Sequence, residues 1–133
     1  MDTIDKIKNQ FETSDHFPKS LGIELLDLAP GYARVTMKVC PNMINLHGIG
    51  HGGVIFSVAD TALGLACNAH GIPAVGMTCN IDYLAPALLG EQLVATAEEQ
   101  YRTKRTGNYQ IKISSSDDKL VALVRGIVYF KVP

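Results

Sequence analysis

The sequence predicts an α+β fold in which one long helix packs on a mostly antiparallel sheet of five or six strands. Small and apolar side chains fill nearly every position of residues 53–68, and a helix that is apolar all round is buried on most sides. After Pro73 apolar and polar residues alternate, which is the period of half-buried strands. Short connections between successive strands favour antiparallel pairing, and packing one helix on one sheet buries both apolar surfaces.

The composition fits a single globular domain over residues 1–133. Apolar residues make up 47% and charged residues 19% of the chain, and the net charge of −1 gives no general attraction to nucleic acid or a membrane surface. No apolar run reaches the length of a membrane span, and no signal peptide is visible. We therefore expect a cytoplasmic protein. The three cysteines lack CxxC spacing and are typical of buried side chains in a reducing compartment.

The N-terminal segment, residues 1–20, is predicted to be helical. Ile4, Ile7 and Phe11 recur at spacings of three and four, which is the pattern of one face of an amphipathic helix over residues 2–13. Residues 16–20 follow as a turn or a short second helix.

Six segments are predicted strands. The first two form a hairpin around the Pro30-Gly31 turn, and the other four follow the long helix, which ends at His70-Gly71. Turns are expected at residues 106–108 and 115–119. The predicted strands are residues 23–28, 32–39, 75–84, 92–101, 109–114 and 120–132. The face of the sheet away from the helix must also be covered, or it pairs with another subunit.

A loop rich in glycine and histidine runs into the long helix. His51, Gly52 and Gly53 stand at the predicted helix start, where backbone N–H groups without intrahelical partners can receive a developing oxyanion. Glycine also lets a ligand approach the backbone closely. The same triplet is equally compatible with a tight turn before a helix, in which His51 caps the helix or fills space.

Asp60 is the only acidic residue of the long helix, and burying a carboxylate is costly unless something satisfies it. It is either a core carboxylate that hydrogen-bonds the backbone or Thr61, or a general base or nucleophile at a helix interface. Nine residues separate His51 from Asp60, which is roughly 13 Å and two and a half turns of helix. A carbonyl at Gly52 would thus lie out of reach of the same chain's Asp60. Either the two do not cooperate, or Asp60 comes from a second copy packed antiparallel to the first.

Four histidines raise the question of a metal site. His47 and His51 have i, i+4 spacing, but the glycines between them disfavour a helix, and no third histidine or cysteine ligand lies near. A structural zinc site usually has four such ligands, so no metal is expected.

The basic cluster of the chain is residues 101–106. It is either a solvated strand end or a patch for a phosphorylated group. Because the net charge is near zero, a single phosphorylated cofactor fits better than nucleic acid. The sequence has no GxGxxG or Walker-type loop, so nucleotide binding by those routes is not supported.

These motifs resemble those of the hotdog-fold acyl-CoA thioesterases, and most closely the phenylacetyl-CoA-type thioesterases of bacterial phenylacetate degradation. The resemblance covers most of the chain from about residue 20. It rests on Asn45, on His51-Gly52-Gly53 and on Asp60-Thr61-Ala62. Further similar stretches are residues 65–68, 81–86, 106–109 and 121–126.

The resemblance implies the chemistry of the site. The Gly52 N–H would bind the thioester carbonyl, Asp60 of the neighbouring subunit would act as nucleophile or general base, Asn45 would orient the water or the carboxylate, and His51 would support the loop. In some relatives a serine near the start of the next strand assists catalysis, and here Gly76 stands in that place. The residues implied to contact CoA are Thr78, Tyr83, Arg102, Lys104, Arg105 and Thr106.

The resemblance also implies the substrate and the assembly. The expected reaction is hydrolysis of an aromatic acyl-CoA, such as phenylacetyl- or hydroxyphenylacetyl-CoA, or of a medium-chain acyl-CoA. No cofactor is expected, because CoA is part of the substrate. The expected assembly is an obligatory dimer and commonly a tetramer. Two alternatives remain open on the same fold: a hydratase or dehydratase, and a non-catalytic protein that binds acyl-CoA or an acyl carrier.

Overall fold

Three helices and six strands make up the computed structural model, which describes residues 1–133. The helices are α1 (Thr3–Ser14), α2 (His16–Ser20) and α3 (Gly52–Asn68). The strands are β1 (Glu24–Ala29), β2 (Tyr32–Lys38), β3 (Ala74–Tyr83), β4 (Gln92–Arg102), β5 (Thr106–Ser115) and β6 (Leu120–Phe130). A short 3-10 turn, Pro41–Met43, precedes the loop that leads into α3. None of these helices has the length and apolarity needed to cross a membrane.

The strands form one six-stranded sheet in the order β1-β2-β4-β5-β6-β3, and every neighbouring pair is antiparallel. The predicted α+β architecture and its upper strand count are therefore confirmed. The expectation that successive strands pair is wrong for β3, which pairs with β6 instead of β4. The reason is the connection after β3, which crosses the sheet so that the Gly90 N–H donates to Val39 O at 2.8 Å beside β2.

One predicted turn is misplaced. Thr106, Gly107 and Asn108 belong to β5, and the chain reverses at residues 103–105. The Thr103 N–H donates to Thr106 O at 2.8 Å, and the Thr106 N–H donates back to the Thr103 hydroxyl at 3.0 Å. The threonine pair closes this hairpin, so the glycine that suggested a turn lies inside a strand.

The concave face of the sheet wraps α3, and the core lies between them. The side chains of Val58, Ala62 and Ala66 are fully buried against the strands. Gly126 of β6 allows the closest approach, because a Cβ there would lie 2.9 Å from Leu63 Cδ2. The opposite side of α3 is only partly covered, by α1 and α2. Thr61 and Leu65 on that side are buried all the same, and Asp60 is the one exposed residue between Val54 and Asn68. The sequence expectation of a helix buried on most sides is therefore confirmed.

The C-terminal end of α3 is fixed by a polar cluster. Glu99 Oε1 lies 2.9 Å from His70 Nε2 and accepts a hydrogen bond from the Tyr109 hydroxyl at 3.0 Å. The His70 ring also meets the Phe130 ring edge-on, with 5.8 Å between centroids. These contacts tie His70, two residues after the last residue of α3, to β4, β5 and β6, which fixes the direction in which α3 crosses the sheet.

Candidate active site

The start of α3 leaves one backbone donor free. His51 is the N-cap in extended backbone, and its Nδ1 accepts the Gly53 N–H at 3.2 Å. The next two N–H groups, of Val54 and Ile55, donate to His51 O at 3.0 and 3.2 Å. The Gly52 N–H donates to no group of the chain. It therefore remains available at the positive end of a 17-residue helix.

Tyr83 fixes the position of Gly52. The Tyr83 hydroxyl donates to Gly52 O at 3.1 Å. A Cβ on Gly52 would lie 3.3 Å from both Tyr83 Cζ and its oxygen, which is tighter than an ordinary contact. Glycine at this position thus lets the tyrosine ring pack directly against the helix start. The ring is still 54% exposed, so one side of it remains open to a ligand.

Asn45 organises the loop that precedes α3. Its Oδ1 accepts the N–H groups of His47 at 2.9 Å and Ile49 at 3.3 Å, and its own backbone N–H donates to Ile49 O. The side-chain amide N–H groups of Asn45 donate to nothing in the chain. Asn45 and Gly52 line one open cavity of about 500 Å³, with Tyr83 on its wall. That cavity is therefore lined by two residues with free N–H groups.

Asp60 lies on the side of α3 that faces away from the sheet, and its side chain is exposed in the single chain. Its carboxylate accepts no hydrogen bond, and the Thr61 hydroxyl donates instead to Ser57 O at 2.7 Å. The alternative of a core carboxylate satisfied by Thr61 or the backbone is therefore wrong. Partial desolvation, and secondly the charge of Asp15, raise the pKa of Asp60 above its ordinary value. A carboxylate with these properties is a stronger base than an ordinary aspartate.

Asp60 and Gly52 belong to separate cavities. Asp60 lines a second cavity of about 480 Å³ between α3 and the N-terminal helices, and the two cavities share no residue. Eight residues of α3 separate Gly52 from Asp60, which is roughly 12 Å along the axis. Within one chain the two residues thus lie apart, as the spacing predicts.

Thr78 and Tyr83 lie on opposite faces of β3. Tyr83 pairs with Ala122, whose side chain is buried on the helix side, whereas Thr78 pairs with Ile127. Thr78 lines a polar groove on the outer face of the sheet. A bulge between Gly76 and Thr78 shifts the register of the strand, so the Thr78 hydroxyl does not stand in for a serine at Gly76.

The basic residues cluster at the hairpin between β4 and β5. Arg102, Lys104 and Arg105 are exposed and form no ion pair, and the Arg102 guanidinium lies 5.6 Å from the centre of the Phe130 ring. Phe130 pairs with the first residue of β3, whereas Gly52 contacts the last. The ten residues of β3 therefore place this hairpin, with Thr106, roughly 30 Å from the same chain's Gly52.

Asp15 is the site residue that the sequence did not reveal. It ends α1 and precedes α2, and its side chain caps neither helix. It lines the same cavity as Asp60 because α1 and α2 fold back along α3. No local pattern marks it, since a polar residue between two short helices is ordinary in sequence.

A six-stranded antiparallel sheet of this order wrapped around one long helix is the hotdog fold. A family model described as the thioesterase superfamily matches residues 47–122. The chain therefore belongs to the thioesterase superfamily, and the resemblance seen in its motifs is confirmed.

Particular relatives are similar over most of the chain. The acyl-coenzyme A thioesterase PaaI of Escherichia coli (strain K12) is 45% identical over 113 residues, which are 85% of this chain and 81% of that protein. A putative esterase of Archaeoglobus fulgidus is 36% identical over 126 residues, or 95% of this chain and 82% of that protein.

A solved structure of the E. coli PaaI protein from the phenylacetic acid degradation operon matches with a TM-score of 0.94. It is 39% identical, and the match covers 98% of this chain and 94% of that one. A mutant of the phenylacetic acid degradation protein PaaI from Thermus thermophilus matches with a TM-score of 0.84 at 40% identity, covering 87% of this chain and 99% of that one. The hotdog fold is therefore common to this chain and to PaaI proteins of two bacteria.

Proposed function

We propose that this acyl-CoA thioesterase hydrolyses an aromatic acyl-CoA to the free acid and CoA at a site built by two copies of the chain. One observation carries the proposal: α3 presents an unused N–H at Gly52 and an unsatisfied carboxylate at Asp60, in two cavities that do not meet. Thioester hydrolysis needs both a donor for the oxyanion and a base for water.

The proposed reaction follows from these two groups. The thioester oxygen accepts the Gly52 N–H, and negative charge develops there as water attacks the carbonyl carbon. Asp60 of the second copy takes the proton from that water. The C–S bond then breaks, and the CoA thiolate takes the proton from Asp60. In the alternative route the Asp60 carboxylate attacks the carbonyl carbon and the C–S bond breaks, which gives an anhydride and the CoA thiolate. Water then opens the anhydride to the free acid and protonated Asp60, and the thiolate takes that proton. Neither route needs a metal or a further cofactor, since CoA is part of the substrate.

The loop residues have supporting roles in this proposal. Asn45 keeps its side-chain N–H groups free toward the Gly52 cavity, so it can donate to the water or to the partner's carboxylate. His51 positions the loop, because its ring nitrogen accepts the Gly53 N–H and its carbonyl receives the first helical hydrogen bonds.

Strand β3 is the proposed interface between the two copies. It forms one edge of the sheet, and an open edge strand is a template for pairing with another chain. Val75 and Met77 are 47% and 60% exposed on it. Antiparallel pairing of two β3 strands makes the two α3 helices antiparallel, which brings the helix start of one copy toward Asp60 of the other. Further pairing of dimers into a tetramer remains a prediction.

In the proposed dimer both copies contact CoA. An antiparallel partner turns its β4–β5 hairpin toward the Gly52 end of the first copy, so Arg102, Lys104, Arg105 and Thr106 of the partner can meet the phosphates of CoA. Unpaired cations suit phosphate groups. Tyr83 lies at the other end of the proposed CoA-binding cleft, next to the thioester. Thr78 on the outer sheet face would contact CoA only where the nucleotide leaves the cleft.

A panel of acyl-CoAs with a free-thiol readout tests this function on protein of known oligomeric state. We expect thiol release that is highest with phenylacetyl- or hydroxyphenylacetyl-CoA, in line with the names of the PaaI relatives. Asp60→Ala is expected to abolish release while CoA binding survives. Loss of enoyl absorbance without thiol release would indicate a hydratase, and binding with neither reaction would indicate a non-catalytic protein.

A further inference from the structure

The cavity behind Asp60 is large enough for an acyl group and is not used by the chemistry. Its volume of about 480 Å³ lies within the ~300–1,000 Å³ typical of small-molecule pockets. One wall is the face of α3 that carries Asp60, Gly64 and Leu65, and the other is the N-terminal pair α1 and α2. A pocket that begins at a reacting carboxylate and continues past it is placed to receive the substituent of the reacting carbonyl.

Open space lies along α3 beyond Asp60. Gly64 is one helical turn further, roughly 6 Å along the axis, and a Cβ on Gly64 would meet no atom within 4 Å. The hydroxyls of Ser57 and Thr61 on this face donate to carbonyls of their own helix, at 2.8 and 2.7 Å. They do not reach across the cavity, and the Asn68 side-chain amide on the same wall donates to Gly64 O and Ala74 O at 2.8 and 3.1 Å. The polar groups of the α3 wall beyond Asp60 are therefore already bonded within the chain.

The opposite wall combines aromatic surface with one charge. Phe11 of α1 is 6% exposed and Phe17 of α2 is 62% exposed, and both line the cavity. When an aromatic or aliphatic group covers the face of an exposed phenylalanine ring, both surfaces leave water, which lowers the free energy. Asp15 lies between them on the same wall, and its carboxylate accepts no hydrogen bond from the chain.

We propose that this cavity holds the acyl group of the thioester, and that α1 and α2 select it by size and charge through Phe17 and Asp15. The proposal rests on the thioesterase function above. The acyl groups selected are neutral and apolar or hydroxylated, with an aromatic ring preferred because it can stack on Phe17. Acyl groups that end in a second carboxylate are rejected, because Asp15 and Asp60 together repel a third negative charge.

The size of the cavity is tested by filling it at Gly64. Gly64→Leu places a branched side chain in the open space, and Gly64→Ala at the same position is the matched control, because one methyl leaves most of the cavity free. The measured quantity is the ratio of kcat/KM for phenylacetyl-CoA to that for acetyl-CoA. We expect Gly64→Leu to lower this ratio by roughly 10- to 200-fold, the range seen when groups of this size compete for an apolar pocket, and Gly64→Ala to lower it much less.

The charge of the cavity is tested by Asp15→Asn, a change of the same shape at a residue that caps neither helix. The measured quantity is the ratio of kcat/KM for succinyl-CoA to that for phenylacetyl-CoA, within each variant. We expect the ratio to rise about tenfold when the like charge is removed. Phe17→Ala is a third variant at an exposed position, and it should lower the preference for phenylacetyl-CoA over acetyl-CoA, mainly through KM.

The outcomes separate this proposal from the thioesterase function. Thermal unfolding and the oligomeric state are measured for each variant, and ratios are compared only between variants that match wild type in both. If wild-type protein releases thiol but Gly64→Leu, Asp15→Asn and Phe17→Ala leave all ratios unchanged, the acyl group lies elsewhere and this proposal is overturned. If wild type releases no thiol, the proposed thioesterase function is refuted. The cavity is then tested by measuring the affinity of phenylacetyl-CoA for wild type and for Gly64→Leu. Equal affinity of both proteins, or no binding to either, would overturn it.

Discussion

Replacing Gly52 by proline deletes the proposed oxyanion donor with little disturbance of the helix. Proline has no N–H and is favoured at the first position of a helix. The residue before a proline must be extended, and His51 already has φ −64° and ψ 137°. Because the Gly52 N–H donates to nothing in the chain, its loss breaks no hydrogen bond of the fold.

The size of the effect can be worked out by comparison with alanine. Gly52→Ala and Gly52→Pro both add a Cβ, which would lie 3.3 Å from Tyr83 Cζ, so both should displace the exposed tyrosine ring by a similar amount. Only proline removes the N–H. Loss of one oxyanion donor costs about 10²- to 10³-fold in kcat. We therefore expect the kcat of Gly52→Pro to be lower than that of Gly52→Ala by about 100-fold or more. The free energies of unfolding of the two variants should agree within about 1 kcal/mol.

The assay is thiol release under saturating acyl-CoA, with urea unfolding of the same preparations. Equal kcat values for the alanine and proline variants would refute the assignment, because the N–H would then contribute nothing to the transition state. A proline variant that unfolds far more easily than the alanine variant would show that the helix start does not accept proline, which contradicts the backbone geometry of His51.

Three further predictions concern the carboxylate and the core. Desolvation and the charge of Asp15 raise the pKa of Asp60, and only the ionised form acts as the base. As the pH is lowered, kcat should therefore begin to fall at a higher pH than it would for an ordinary aspartate, and Asp15→Asn should move that fall to lower pH. A raised folded-state pKa means that ionised Asp60 destabilises the fold, so Asp60→Asn should raise Tm near neutral pH, and the gain should vanish below the pKa of an unfolded aspartate; equal Tm values at pH 7 would contradict this. Gly126→Ala should cost about 1–3 kcal/mol in urea unfolding, because its Cβ would lie 2.9 Å from Leu63 Cδ2, whereas Gly64→Ala, with no atom within 4 Å, should cost little; equal costs would show that the contact relaxes freely.

The sequence predicts most elements of this fold because their causes are local. The apolar composition of α3 and the histidine and glycines at its ends define the helix to within one residue of Gly52–Asn68. The Pro30-Gly31 turn defines the first hairpin, since Gly31 has a φ of +74° that favours glycine. Each of these patterns spans only a few neighbouring residues, so it can be recognised from the sequence alone.

The order of the strands could not be predicted, because it depends on contacts far apart in sequence. The alternating pattern of β3 is the same whether its neighbour is β4 or β6. No local sequence pattern predicts the bulge that shifts Thr78 to the outer face. The glycine at Gly107 predicts a turn more strongly than the threonine pair that closes the β4–β5 hairpin, so the turn is predicted at the wrong residues. In each case the pairing partner, rather than the strand itself, decides the outcome.

The candidate site divides in the same way. Gly52, His51 and Asn45 lie within one loop, so their sequence spacing describes their geometry well. The separation of Gly52 from Asp60 also follows from helical rise alone. The environment of Asp60 does not, because it is made by α1 and α2 folding back along α3. That contact brings Asp15 and Phe17 to the cavity, and no spacing in the sequence connects them to Asp60.

The central claim is that each active site takes Gly52 from one copy and Asp60 from the other, and mixing two inactive variants tests it directly. Asp60→Ala and Gly52→Pro chains are produced together with different tags, and the mixed dimer is isolated through both tags. Such a dimer contains one site with both groups intact and one site with neither. We predict about half of the wild-type kcat per dimer, although each parent is nearly inactive alone. A mixed dimer as inactive as its parents would contradict the shared site, because the two groups would then have to act within one chain.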